Sequence, residues 1–404
     1  MPNYIVEVQD AMGKVSKQKI EATSPEMARS VLINKYPTVG KVTKAGFELD
    51  FSALESKLTS VTVKDKAVFS RQFAAMVNAG VAIVRCLGVL SDQCPNPKMK
   101  KALLAISDDV QQGIGLSDAM TKHPECFDQL YVSMVEAGEI GGVLDEVLNR
   151  LAKLLEDMAK LQNQIKSAMS YPVTVGIFAI VVFLAMTIFL IPIFAGIFQD
   201  LGTELPILTQ IMLWLSGELR SWRVIIPIAV IIVGKMAFDQ YYKTPVGHFQ
   251  IDLLKLKLPI FGDLQEKSAV ARFCRIFGVL TRSGVPILNS LDIVGRTSGN
   301  LVYEKAIERT KGEIQQGGMM SIALEKEEVF PPLAIQMLSI GEETGELDGM
   351  MLKVADFYDD EVEQAVKALT SILEPMMMVV IAVMVGVILL SMYLPMFKVF
   401  ESLG

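Results

Sequence analysis

The sequence predicts a mainly α chain: two repeated cytoplasmic six-helix bundles, three transmembrane helices and a small α+β module at the N-terminus. Three observations carry this reading. The apolar residues, 51% of 404, are concentrated in long stretches that contain no charge. A segment of about 100 residues followed by such a stretch occurs twice. Within each copy the apolar residues recur at spacings of 3 and 4, the period of a helix with one buried face. At roughly 100 to 200 residues per domain, the length allows two to three structural units.

The N-terminal module comes first, at 1–45. Tyr4 and Val6, then Val15 and Ile20, flank a turn at Gly13 and predict a short hairpin. Ser24-Pro25-Glu26 then opens a helix, with Ser24 as cap and Pro25 in the first turn, that ends before Pro37. The expected module is ββα-like. Residues 46–64 follow as a linker, although Phe47–Leu58 is amphipathic and could instead dock on a partner.

The first bundle is expected at 65–168. Phe69, Phe73, Met76 and Val77 share one helical face, and Gly80 ends that helix. Further helices are expected near 82–90, 98–112, 116–122, 127–137 and 143–167. Between Lys166 and Asp200 no residue is charged, and 171–198 is longer than the roughly 20 apolar residues that cross a bilayer. A loop is expected at 199–220. The next candidate crossing, 221–238, is weak, because only eleven uncharged residues separate Arg223 from Lys235. The second bundle is placed at 240–370, with its helical core at 268–370, and a charge-free crossing at 374–397 follows, leaving a tail at 398–404.

The repeat decides the weak crossing. At an offset of 204, Arg71, Phe73, Gly80 and Leu87 pair with Arg275, Phe277, Gly284 and Leu291; at 203, Pro172 and Pro192 pair with Pro375 and Pro395. Each pair of prolines spans about 30 Å of helix, one hydrocarbon core. If both copies enter the membrane in the same sense, the chain has to return between them, so 221–238 is a third span. Lys153, Lys160 and Lys166 before the first span, and Lys243, Lys255 and Lys257 after the second, place both bundles on the cytoplasmic side and the C-terminal tail on the other. All four cysteines then lie in a reducing compartment.

The sharpest local signal is G-E-x-x-G-x-L-D, present as Gly138, Glu139, Gly142, Leu144 and Asp145 and again as Gly341, Glu342, Gly345, Leu347 and Asp348. Glycines here let the chain turn from one helix into the next, and the aspartates favour the following N-terminus. The alternative is that these carboxylates face a partner or bind a cation. Catalytic chemistry finds no support. Each Gly-Lys pair lacks the Ser or Thr of a phosphate-binding loop, and no G-x-S-x-G or H-E-x-x-H is present. Four cysteines and two histidines are too scattered for a zinc site. No catalytic, cofactor or metal residue is expected, and a net charge of -7 argues against nucleic acid. Glu374 precedes the third span, but its counterpart is Tyr171, so no proton path uses both repeats.

The AGV and SGV turns at Gly80 and Gly284, the duplicated corner, Leu373-Glu374-Pro375 and the span endings Leu190–Phe194 and Tyr393–Phe397 together resemble the type II secretion system F family, over almost the whole chain. The resemblance implies a non-enzymatic platform in the bacterial inner membrane. Its implied partners are a hexameric assembly ATPase, pilin or pseudopilin, other inner-membrane assembly proteins and further copies of itself. The second bundle carries 20 acids and 14 bases over 240–374, against 13 and 12 over 64–168, which points to a basic ATPase surface near Glu325, Glu327 and Glu328. A small transporter or channel is the rival reading; it predicts facing polar groups in the spans, which offer Thr174, Thr187 and Ser391.

Overall fold

The computed structural model describes residues 3–9, 15–21, 27, 29, 38–44, 59–200, 205–259 and 261–403. They fall into two compact units, Met1–Ser60 with Pro95–Lys101, and Val61–Cys94 with Ala102–Gly404.

In the N-terminal module β1 (Asn3–Gln9) lies between β2 (Val15–Glu21) and β3 (Thr38–Lys44), antiparallel to both. The hairpin pairs Tyr4 with Ile20 and Val6 with Gln18. The third strand is an addition to the expected ββα order. Val6 pairs with Val42 but Val8 pairs with Val39, so β3 carries one extra residue. That bulge breaks the two-residue alternation by which a strand is read from sequence. Met27 and Arg29 are helical, and the rest of the expected helix lies outside the described residues, as does 46–58 of the expected linker.

The first copy contains α1 (Val63–Asn78), α2 (Ile83–Gln93), α3 (Pro97–Gln111), α4 (Leu116–Thr121), α5 (Gln129–Gly141) and α6 (Leu144–Ala185). A capping box starts α1: Asp65 N–H donates to Thr62 Oγ1 at 3.1 Å and Thr62 N–H donates back to Asp65 Oδ2 at 3.0 Å. Phe69, Phe73, Phe127 and Tyr131 form its aromatic core, with ring centroids 4.9 to 5.7 Å apart. Buried Tyr131 satisfies its hydroxyl against Ser70 Oγ at 3.0 Å.

After the π turn Met186–Leu190 come α7 (Ile191–Asp200), α8 (Ile207–Arg220), a 3-10 turn at Trp222–Val224, α9 (Ile225–Tyr242) and α10 (Pro245–Lys257). The second copy is α11 (Phe261–Arg282), α12 (Ile287–Thr297), α13 (Leu301–Gln315), α14 (Met320–Lys326), α15 (Pro332–Thr344) and α16 (Leu347–Leu403). Its core keeps Phe273, Phe277 and Phe330 but takes its tyrosine, Tyr303, from α13. The positions matching Tyr131 and Ser70 are Ala334 and buried Cys274, so the hydroxyl pair is lost as a unit.

Among the described residues, three helical stretches are long and apolar enough to cross a membrane: Leu144–Phe198, Trp222–Tyr242 and Leu347–Phe397. The helices that hold the first and third expected crossings, 171–198 and 374–397, begin earlier, at Leu144 and Leu347. The crossings continue without interruption from the last helix of each bundle, because Pro172 and Pro375 sit inside α6 and α16 and each removes only one backbone donor. The expected loop at 199–220 also differs, since α8 occupies 14 residues of it, about 21 Å of helix and short of a 30 Å core. Thr209 Oγ1 on α8 donates to Ser391 O of α16 at 2.7 Å, which holds α8 against the third span. The span window of α9 has no residue buried within the chain.

Candidate functional site

The repeated corner is built the same way in both copies. Gly138 lies in the last turn of α5 where α6 crosses it, and a Cβ there would lie 3.1 Å from Leu144 Cα; at Gly341 a Cβ would lie 3.0 Å from Leu347 Cα. The glycine is therefore set by close approach of two helices. Gly142 and Gly345 adopt φ of +67° and +75°, the left-handed conformation that closes a helix C-terminus. Gly80 and Gly284, with φ of +77° and +83°, do the same after α1 and α11.

The corner glutamates act at a distance. Glu139 reaches back 23 residues, where Oε1 accepts from Leu116 N–H at 2.6 Å and Oε2 from Ser117 N–H at 2.9 Å. In the second copy Glu342 Oε1 accepts from Met320 N–H at 2.6 Å and Oε2 from Ser321 N–H at 2.9 Å. Each carboxylate satisfies the orphan donors of a short helix, α4 or α14, whose preceding residue supplies no side-chain cap. Both oxygens are thereby engaged with backbone, which leaves the pair poorly placed to hold a cation. Among the described residues no group of three or more His, Cys, Asp or Glu is arranged to hold one. Asp145 is exposed, and Asp348 lies 3.8 Å from Arg282 Nε. The cue missed in the sequence is Ser117 and Ser321, which repeat at the offset of 204 behind Gly113 and Gly317.

The repeated arginines tie the first helix of each bundle to its last. Arg71 Nε donates to Glu156 Oε1 at 2.6 Å, and its Nη2 meets Glu156 Oε2. Arg275 Nη2 contacts Asp359 at 2.5 Å and Asp356 at 2.7 Å. Glu156 and Asp359 are themselves 203 apart. Hydrogen bonding from Arg71 holds the Glu156 carboxyl below its ordinary range, whereas burial pushes Asp359 up despite Arg275. A cleft of about 370 Å³ beside Arg275 is lined by charges of both signs, including Lys153, Lys160, Asp356 and Glu363.

A second arrangement was missed in the sequence, although His248, Asp252 and Lys255 stand four and three residues apart and so share one helical face. Fully buried Asp252 on α10 accepts from Lys255 Nζ at 2.8 Å, Tyr242 OH at 3.1 Å and Leu301 N–H at 3.0 Å, with His248 Nε2 3.2 Å away. It joins the end of the second span to the start of α13. Burial raises the carboxyl pKa of Asp252, but the hydrogen bonds from Lys255 and Leu301 outweigh that and leave it below the usual carboxylate range.

In the span region, Thr174, Thr187 and Ser391 turn their hydroxyls onto carbonyls four residues back, at 2.7 to 2.8 Å. Such hydroxyls are spent on their own helices and supply no facing pair. Glu374 and Tyr171 are exposed, Pro172 and Pro192 half-buried, Pro375 exposed and Pro395 buried.

Comparison with known proteins fits this arrangement. The family model for type II secretion system (T2SS) protein F matches residues 69–192 and 273–395, the two copies. The type IV pilus assembly protein PilC of Thermus thermophilus is 41% identical over 410 residues, with all of both chains covered. PilC of Myxococcus xanthus is 40% identical over 98% of this chain and 94% of its own. The type II secretion system protein F of Vibrio cholerae is 30% identical over 83% of this chain and 82% of its own. The chain belongs to the type II secretion system protein F family.

Proposed function

We propose that this protein is the inner-membrane platform of a type IV pilus machine, coupling a cytoplasmic hexameric ATPase to the extraction and polymerisation of pilin. The N-terminus and both bundles are cytoplasmic, the C-terminus is periplasmic, and the platform works as a homo-oligomer without chemistry of its own. The single observation that carries this is the continuity of α6 and α16, each leading from a bundle into a membrane-length apolar stretch without a break. A force applied to a bundle then reaches the bilayer through one rod. The pilus is favoured over type II secretion because the relatives that match along nearly the full length at 40 to 41% identity are pilus proteins. The Glu139 and Glu342 carboxylates serve as helix caps, which supports a structural role for the corners.

Deletion of the chain tests this: surface pili are expected to disappear while secreted enzymes persist, and the opposite result assigns it to secretion. Reporter fusions after Asp200 and after Lys243 are expected on opposite sides of the membrane. For the ATPase contact, Glu325 and Glu328 are exposed, whereas Glu327 is paired with Arg309. Reversing Glu325 and Glu328 is expected to reduce ATPase co-purification, and unchanged recovery would show that the contact lies elsewhere.

A further inference from the structure

The two bundles are alike in build but differ in what covers them. In the second copy the trough between α11 and α16, floored by Ala271, Arg275 and Asp359, is covered by α6, which lays Asp157, Leu161 and Ile165 along it. The repeat offsets carry that trough back to Ala67, Arg71 and Glu156, between α1 and α6 of the first copy. There it is an open groove of about 730 Å³, with Lys64, Val68, Gln72 and Lys160 exposed along it.

We propose that this groove receives α16 of a second copy of the chain, so that copies associate head to tail. The inference specifies the surface used by the homo-oligomer proposed above. Three observations select the occupant. The same trough, with the same arginine-carboxylate floor, is already filled in the second copy by the helix equivalent to α16. The α16 residues that match the inserted ones are Asp360, Gln364 and Ala368, and all three are exposed. The charges also complement one another, because the groove presents Lys64 and Lys160 beside the Arg71–Glu156 ion pair, whereas the matching face of α16 offers exposed Asp360. Geometry permits the step, since α6 and α16 both run from a bundle into an apolar stretch. A rotation about the membrane normal carries one onto the other with the spans kept in the bilayer. A heterologous contact that cannot climb along that axis closes into a ring.

Disulfide capture between two differently tagged full-length copies tests this in membranes, one copy carrying Val68→Cys and the other Gln364→Cys. The expected result is a linked product bearing both tags, absent when Val89→Cys replaces Val68→Cys. Lys64→Glu with Lys160→Glu is expected to lower its yield about tenfold, and Asp360→Lys on the partner to restore it. Three results overturn the proposal. In one, the tags co-purify but no 68 to 364 product forms, which leaves self-association standing through another surface. In another, Val68→Cys links within one chain to Leu54→Cys in place of the mixed product, seating the chain's own preceding segment in the groove. In the third, the tags do not co-purify at all, which removes the homo-oligomer as well.

Discussion

Glu139 and Asp145 belong to one repeated motif, yet their surroundings give them unequal weight. Replacing Glu139 with Ala strips acceptors from two backbone N–H groups at the start of α4, and charged hydrogen bonds of this kind contribute about 2 kcal/mol. A loss of that order is expected for Glu139→Ala and for Glu342→Ala in thermal unfolding of the purified chain. Asp145→Ala, at an exposed position, is expected to change stability by less than about 0.5 kcal/mol. Gly138→Ala pushes a methyl against the backbone of Leu144 and is expected to cost about 1 to 3 kcal/mol. Asp252 has a pH signature. Its carboxyl pKa is lower folded than unfolded, so its stabilisation is complete above the unfolded value of about 4 and is lost as pH falls through the lower folded value. Asp252→Asn is expected to flatten the acid limb of a stability-against-pH curve; an unchanged limb would show that other carboxylates set it.

At the scale of elements, the governing feature is the absence of a joint between bundle and span. The π turn at Met186–Leu190 widens the first span just before Pro192, while the third span carries Pro395 within regular α16. Breaking the rod separates folding from transmission. Gly-Pro in place of Ser167-Ala168 disfavours helix by roughly 3 to 4 kcal/mol at a position outside both bundle cores. The variant is expected to insert and to retain ATPase co-purification while losing surface pili. Pili at the parental level would show that α6 does not carry the force.

For the whole molecule, packing of α6 along α11 and α16 holds the two copies together. Arg150 Nη1 donates to Arg282 O at 2.7 Å, and Arg296 Nη1 to Gln129 Oε1 at 2.9 Å. Halves expressed separately and divided at 204 are therefore expected to co-purify, and Leu161→Asp with Ile165→Asp to abolish recovery. What the sequence made legible follows the range of each interaction. Apolar stretches and the repeat are patterns along the chain, so the crossings and the two copies could be read. The partners of Glu139 lie over 20 residues away, and Leu301, which closes the cluster around Asp252, lies 49 away, so nothing local marks these contacts. The helix α8 is too short to register as a crossing, and β3 is hidden by the bulge that shifts its alternation.

The unbroken helices have an angular consequence. Each residue of an α-helix turns the chain by about 100° while advancing it about 1.5 Å, so the bundle fixes the azimuth of every lipid-facing side chain above it. One alanine inserted after Lys166 scarcely lengthens α6 but swings the first span about a quarter-turn relative to its bundle. Seven restore the original heading to within about 20° at the expense of about 10 Å. If the platform works by twisting, activity plotted against the number of inserted alanines oscillates with the helical period; if it works by thrust alone, it declines steadily.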